Sequence, residues 1–527
     1  MGKPYSYHTF ILPFEIQGKV KDVPIDRINN FVNTKYWKKI EKEDANLLFN
    51  SVFSEDENKD KKILSAIEYN QRQYFHDNVL KAIHNDKNCN IVTEYVYDCF
   101  NRDKVIELEI GRESTGNVNA SDDSSEKSQE DVKLFKYVLK VSNVRLKVYN
   151  TGIGVLILDI YNDSYNDFKS VKEINEYGRH ISLPYIAIDE GDILCAENIT
   201  WKFHNSNKNN CSFRDLNNSF NEQNYNDDSY KIDFFNSMII DSSYNGSYII
   251  KPSLDDRMFT CCLIRDTFLS KIFSMDYDIE DQNNFQVDEE LSKSLYEYIY
   301  IDREGKCTAP TSSFRKRILN ESIYNRWSAL GTVYGSSHTS LVGITGEFEG
   351  VESMIIRPFL TQYVEIAILA LVQRASILRF QRQSGGNLRN KQIQELQKKY
   401  VDYRNQLHFF EVSSQEQGIE LYELIRKQLY IEKEIESLEK NLEILYEKSN
   451  VDMSNKIGTV GTWIALISLL GTFFDILSYF RSHGFDNCFL KKFCSLFPEN
   501  AIIIIIVIVI VIVFIYKATI YFKNRKI

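Results

Sequence analysis

The sequence has few of the patterns that carry enzyme chemistry. Across 527 residues there is no GxxxxGKS or GxxxxGKT phosphate loop, no HExxH and no GxSxG, and the eight His lack paired ligand spacing. That excludes the common nucleotide-hydrolysing, zinc-protease and serine-hydrolase arrangements; no catalytic residue, metal ligand or cofactor is assigned, and the chain reads as a non-enzyme. Nine Cys are scattered without a CxxC or a Cys/His cluster of zinc spacing, so reduced, cytosolic thiols are expected. Basic charge is short as well: the formal net charge is −10, and no basic stretch accumulates away from the C-terminal apolar runs, which argues against nucleic acid as a partner. Residues 1–22 contain no apolar core of the signal-peptide kind, so the bulk of the chain is expected to stay inside the cell.

What the sequence has in quantity is apolar residues near its end. Residues 457–480 and 501–522 are each about long enough to cross a hydrocarbon layer of roughly 30 Å. The second run is nearly unbroken Ile and Val up to Phe514, a surface suited to lipid. In the first, Gly458, Gly461, Ala465, Ser468, Thr472, Asp475 and Tyr479 recur every three or four residues, which puts small and polar groups on one helical face. Two readings stand side by side: a helix-packing seam, or a pore lined by Gly461, Ala465, Ser468, Thr472, Asp475 and Tyr479 in a ring of copies. A ring of Asp475 carboxylates would favour cations; alternatively Asp475 sits in the headgroup region or pairs with Arg481. Two spans would return the C-terminus to the side of the N-terminal bulk, so both termini are expected on the cytoplasmic side of a plasma membrane in a multi-pass protein; Lys517, Lys523, Arg525 and Lys526 agree with this, while Arg481, Lys491 and Lys492 in the outer loop count against it.

The rest of the chain, 43% hydrophobic and 26% charged over its whole length, leaves room for a large soluble domain with a sizeable core. Residues 8–16 predict an opening strand. Residues 26–40 and 62–82 suggest helices, and 94–110 and 134–160 are β-rich, with a hairpin punctuated by Asn150, Thr151 and Gly152. Residues 112–133 and 204–229 read as polar, disordered insertions. A short helix is expected over 171–177, and 248–264 reads as strand, acidic turn, strand. From residue 357 onward the pattern is helical. An apolar stretch over 359–378 stops before Gly385 and Gly386, and two heptad runs follow, Ile393 to Phe410 and Leu421 to Leu445, with Ser413 and Glu416 in capping-box form between them. The expected fold is therefore an α+β or α/β cytosolic domain (1–340), a long helical coiled-coil stalk (341–456), a two-helix transmembrane hairpin (457–522) and a basic tail (523–527).

Two charged turns in that domain are candidate ligand sites. Arg179 and His180 follow Gly178 and precede Pro184; a guanidinium fork matches phosphate and an imidazole stacks on a base. Asp255, Asp256 and Arg257 sit between strands, where a carboxylate accepts from an adenine amine, a ribose hydroxyl or a ligand ammonium. A salt bridge at a loop is the competing reading of each. Gly331 and Gly335 fit a turn better than a dinucleotide loop, and Arg379 and Arg382 are expected to pair with stalk carboxylates.

A cytosolic domain, long helices feeding the first of two C-terminal spans and a short outer loop resemble the CorA-like metal-ion transporters, homopentameric funnels whose first span lines the pore. The chain departs from them in one respect: no Met follows Met453, and 481–500 lacks Gly-x-Asn, so the Gly-Met-Asn filter of that family is missing. In residues 178–184, 255–259, 326–340, 373–380 and 411–422 it is similar to a divergent CorA-like branch without that signature, associated with type III CRISPR systems. That resemblance implies a CorA-like membrane effector of antiviral defence, a homo-oligomer in the lipid bilayer opened by a nucleotide second messenger, a conjugate of S-adenosylmethionine with AMP, causing permeabilisation or ion flux. The alternative is a divalent cation transporter regulated by bound metal; a membrane-tethered scaffold follows from the seam reading.

Overall fold

A computed structural model of the chain describes residues 3–18, 21–40, 57–85, 89–97, 106–112, 135–182, 196, 198–202, 208–212, 233–244, 246–275, 289–386 and 388–482. The chain divides into two compact units, Met1–Glu443 and Ile444–Ile527.

The first unit is built on one mixed sheet of 14 strands. In chain order they are β1 (Ser6–Gly18), β2 (Lys21–Pro24), β3 (Trp37–Lys39), β4 (Val92–Tyr97), β5 (Ile106–Arg112), β6 (Phe135–Tyr149), β7 (Gly154–Asn162), β8 (Asn198–Lys202), β9 (Lys208–Ser212), β10 (Tyr248–Pro252), β11 (Phe259–Arg265), β12 (Ile323–Tyr324), β13 (Thr332–Ser336) and β14 (Ser340–Thr345). The main path runs β12-β13-β14-β11-β1-β7-β6-β5-β8-β9; all its pairings are antiparallel except β11 with β14. Helices α1 (Glu57–Tyr74), α2 (Asp77–Ile83), α3 (Phe168–Gly178), α4 (Asp233–Ile239), α5 (Thr267–Met275), α6 (Glu289–Tyr300), α7 (Ser312–Ser322), α8 (Val364–Ser384), α9 (Asn390–Gln406), α10 (Glu416–Gln428) and α11 (Ile431–Ser482) complete the described elements, with short single-turn helices between some of them.

Period-two alternation sorts β1 between the two faces. Phe10, Leu12, Phe14 and Ile16 enter a core shared with α3 and α4, whereas Tyr7 and Ile11 enter the core that holds α2, α8 and the buried faces of α9 and α10. A third cluster packs α5, α6 and α7 against Cys262 and Ile264 of β11 and Val342 and Ile344 of β14. The β6–β7 turn over Asn150–Gly152 forms where the sequence places it. Gly152 has φ +80°, and a Cβ there would run into the guanidinium of Arg379, so both backbone and space require glycine.

The sheet is interrupted along one edge of β1. β10 and β11 do not form a hairpin; they lie end to end along that edge, Phe14 to Gly18 pairing with β10 and Ser6 to Ile11 with β11. Leu12 and Pro13 have no ladder partner between them on that side. The Pro13 carbonyl accepts the Ser253 N–H at 2.9 Å, so the position where proline lacks an N–H also faces this gap. Residues 253–258 leave the sheet there as a loop.

The expected architecture is corrected in several ways. The domain is a mixed sheet with helices on both faces. Residues 341–456 are not a separate coiled-coil stalk: β14 is a sheet strand, α8 is a core helix, and the seam residues Leu396, Tyr400, Tyr403, Leu407, Leu421, Ile431, Ile435, Leu438 and Leu442 pack in the core of their own domain. Helical periodicity gave the right face and the wrong partner. Two C-terminal membrane helices and a CorA-like funnel are not shown. Among the described residues one helical stretch is long and apolar enough to span a membrane, 352–384, and 83% of its apolar window is buried inside the protein; 501–522 lies outside the described residues. The helix expected over 26–40 is a single 3-10 turn, Ile28–Phe31, and a short strand, because Asn29, Asn30 and Asn33 favour turns. The insertion expected over 204–229 contains strand β9; the other, 112–133, lies almost wholly outside the described residues. Gly331 closes a turn at φ +71° and opens strand β13, and Arg379 and Arg382 pair with Glu15 of β1 and, for Arg379, with Asp26.

Candidate ligand-binding site

The two charged turns singled out in the sequence meet. α3 begins at an Asp167 cap whose carboxylate accepts the Ser170 N–H at 2.8 Å, and it buries Val171, Ile174 and Tyr177. Its last residue, Gly178, lies against Phe10: a Cβ there would come within 2.8 Å of the ring, so glycine serves close packing at this point. The chain then runs beside the 253–258 loop. His180 forms an antiparallel bridge with Arg257, and the Arg179 carbonyl accepts the Met258 N–H at 2.8 Å. The Ser182 hydroxyl donates to Asp256 Oδ2 at 3.2 Å.

The side chains form a mixed-charge cluster. Arg179, 3% exposed, donates to Glu176 Oε2 from Nε at 3.0 Å and Nη2 at 2.6 Å, and from Nη2 to the Ile301 carbonyl at 3.0 Å. Its Nη1 is buried and has no hydrogen-bond partner in the protein. Arg257 is a third exposed, 3.1 Å from Asp255 Oδ2 and 3.7 Å from Asp256 Oδ1. Asp302, just beyond α6, accepts from the N–H and hydroxyl of Thr308, each at 2.7 Å, and interacts electrostatically with Arg179 and Arg257. His338, at the exposed tip of the β13–β14 hairpin, lies in the field of Arg374, Asp255, Arg257 and Arg179.

Burial dominates the titration of these groups. It raises Glu176 and lowers Arg179 against their mutual attraction, and it lowers His180 to about 3, aided by Arg179 and Arg257. Asp256 is raised to about 6 by burial and by the hydrogen bond and charge of Asp255. Burial also opposes ionisation of Asp255, but the hydrogen bond with Asp256 and the Arg257 guanidinium outweigh it and bring Asp255 to about 2. The pair thus holds one proton between about pH 2 and 6 and has mostly released it by neutral pH. A buried guanidinium nitrogen without a protein partner costs about 1–3 kcal/mol unless something else satisfies it. An anionic oxygen would do so, while the acids accept N–H and O–H groups of the same ligand.

Glu176, Ile301, Asp302, His338 and Arg374 were not singled out in the sequence. Glu176 was within reach, three residues before Arg179 on one helix. Pro13 inside a strand was the sign that the opposite strand would break. The others arrive through tertiary packing. Ile301 itself is left-handed, with φ 54°, a conformation costing a β-branched residue about 1–2 kcal/mol.

The second group of candidates belongs to α11. Gly461, Ala465, Ser468, Thr472, Asp475 and Tyr479 are all exposed, and so are Ile457, Val460, Ile464, Ile467 and Leu469 around them. Among the described residues no group of three or more His, Cys, Asp or Glu could hold a metal ion. No protein-family model, curated protein or solved structure matches this chain.

Proposed function

We propose that the protein is a ligand-gated membrane effector whose 1–443 unit binds an anionic adenine-nucleotide second messenger, of the S-adenosylmethionine–AMP type, at the cluster of Arg179, His180, Asp255, Asp256 and Arg257. In the type III CRISPR setting that the sequence resembles, binding would open a homo-oligomeric pore at the plasma membrane, with the 457–479 face of α11 lining it. The observation that carries the reading is the meeting of two charged segments about 75 residues apart around a buried Arg179 nitrogen with no protein partner. The exposed apolar half of α11 supports the membrane half of the proposal, since apolar surface of that extent calls for lipid or further copies.

The test is calorimetric titration of the detergent-solubilised full-length protein with AMP, ATP and the S-adenosylmethionine–AMP conjugate. Arg257→Ala and Asp256→Ala are expected to weaken binding at least tenfold and to abolish ligand-dependent ion release from vesicles. Binding of Mg²⁺ or Mn²⁺ alone, with no nucleotide bound, would instead select the divalent cation transporter.

A further inference from the structure

His180 cannot offer its imidazole face to a base, because it is 2% exposed. The stacking role that its residue type suggested needs another ring, and the β13–β14 hairpin supplies one. From Thr332 to Gly346 every residue is buried except His338, at the tip. The residues on either side of it are moored. Ser337 donates its hydroxyl to the Ile299 carbonyl at 2.9 Å, Thr339 donates its own to the Tyr300 carbonyl at 3.4 Å, and Arg179 Nη2 donates to the following carbonyl, that of Ile301, at 3.0 Å. Three successive carbonyls at the end of α6, which the helix itself leaves unsatisfied, are thus held first by the hairpin tip and then by the ligand cluster.

The sheet gives the same placement. In the parallel pair of β11 and β14, Ser340 lies opposite Thr260, and the Thr339 carbonyl accepts the Thr260 N–H at 3.0 Å. Continuing that register towards the tip brings His338 beside Met258, whose N–H donates to the Arg179 carbonyl at 2.8 Å, next to the bridge between Arg257 and His180. At a strand spacing of about 4.8 Å the backbone of His338 is then about 10 Å from that of Arg179. The other ring at this point is taken: Tyr300 stacks on Tyr296 with centroids 4.3 Å apart, and its hydroxyl is 2.7 Å from that of Ser322. Among the described residues the His338 ring has neither an aromatic neighbour nor a hydrogen-bond partner.

We propose that His338 is the base-recognising residue of the ligand site, its imidazole stacking on the adenine of a nucleotide whose phosphate engages Arg179 and Arg257. The two ends of such a ligand then meet different chemistry: guanidinium groups at the phosphate and a π-face at the base. Because both flanking residues are already fixed, the ring gives up little freedom when it stacks. The inference rests on the ligand-site reading and names the residue by which the site distinguishes a nucleotide from a bare phosphate.

The experiment titrates detergent-solubilised full-length protein with ATP and with inorganic triphosphate, which lacks the base. His338→Ala should weaken ATP at least about fivefold and leave inorganic triphosphate within about twofold of the parent. His338→Phe, which keeps a stacking face and guards against a folding defect, should hold ATP within about threefold. The fluorescence of 2-aminopurine riboside triphosphate, which stacking quenches, should fall on binding to the parent and to His338→Phe but not to His338→Ala. If His338→Ala binds ATP like the parent while Arg257→Ala loses it, the inference falls and the site reading stands. Equal losses for ATP and inorganic triphosphate would also overturn it, since His338 would then act on the phosphates or on folding. Failure of the parent to bind ATP, AMP or the S-adenosylmethionine–AMP conjugate would overturn both.

Discussion

At the scale of single residues, buried histidines set an expectation for acid stability. His8 is 1% exposed, with Nδ1 2.7 Å from Asn175 Oδ1 and Nε2 2.9 Å from the Ser6 hydroxyl, and burial brings its pKa down to about 4. The unfolded chain takes up a proton near 6.5 that the folded state refuses until about 4. The stabilisation is therefore complete above pH 6.5 and is lost as pH falls towards 4, at about 1.4 kcal/mol per unit. Denaturant titrations at pH 7, 6 and 5 should show stability falling with pH, His180 and His408 adding to the slope, and His8→Gln should reduce that slope by about 1.4 kcal/mol per unit while lowering stability at pH 7. An unchanged slope in the variant would assign the acid sensitivity elsewhere, His180 being the next candidate. The sequence exposed the ionisable pieces of the ligand cluster without their burial. Arg179 and Asp256 stand out by type and by their turn-like neighbours, but that Arg179 is sealed against Glu176 and Ile301 depends on α6, which joins from over a hundred residues downstream.

At the scale of elements, α8 shows how a legible helix hides its partners. Its apolar run and its stop at Gly385 are readable from periodicity and turn chemistry. Glu365 in its first turn looks like a surface charge; it is instead buried, accepting from Lys147 Nζ at 2.7 Å and Arg145 Nη1 at 3.0 Å, while Lys147 also lies 3.2 Å from Glu94. Burial disfavours the Glu365 carboxylate, but Lys147 and Arg145 outweigh it and lower its pKa. Removing one member of such a network strands the others, so Glu365→Leu should cost about 3–5 kcal/mol in denaturant unfolding. Pairing it with Lys147→Met should recover part of that loss, because the uncompensated cation goes with it. A single substitution costing less than about 1 kcal/mol would mean that water reaches the network. The heptads after α8 teach a related lesson. A 3.5-residue seam is the same sequence pattern whether it packs on a second copy or on the chain's own sheet, and here it packs on its own domain up to Leu442.

At the scale of the whole molecule, the last described helix carries the question that the 1–443 unit cannot answer. From Ile457 onward α11 exposes Ile457, Val460, Ile464, Ile467, Leu469 and Ile476, each more than half exposed, beside the small and polar stripe that includes Thr472 and Asp475. A helix so disposed gains by burying its apolar side in lipid and its small-residue side against further copies, which permits close backbone approach. In a closed ring of copies, most simply a pentamer, each Asp475 would stand at one level of the conduction path, where a circle of carboxylates concentrates cations. Light scattering of the detergent-solubilised protein is expected to give a single oligomer, and planar-bilayer recordings a cation-preferring conductance. Asp475→Asn should lower that conductance severalfold and weaken the cation preference with oligomer mass unchanged, since the substitution removes charge and keeps shape. Equal conductance and selectivity in the two proteins would give Asp475 a structural role at the membrane edge. A monomer at micromolar concentration would remove the ring, and the pore assignment of Gly461, Ala465, Ser468, Thr472, Asp475 and Tyr479 with it.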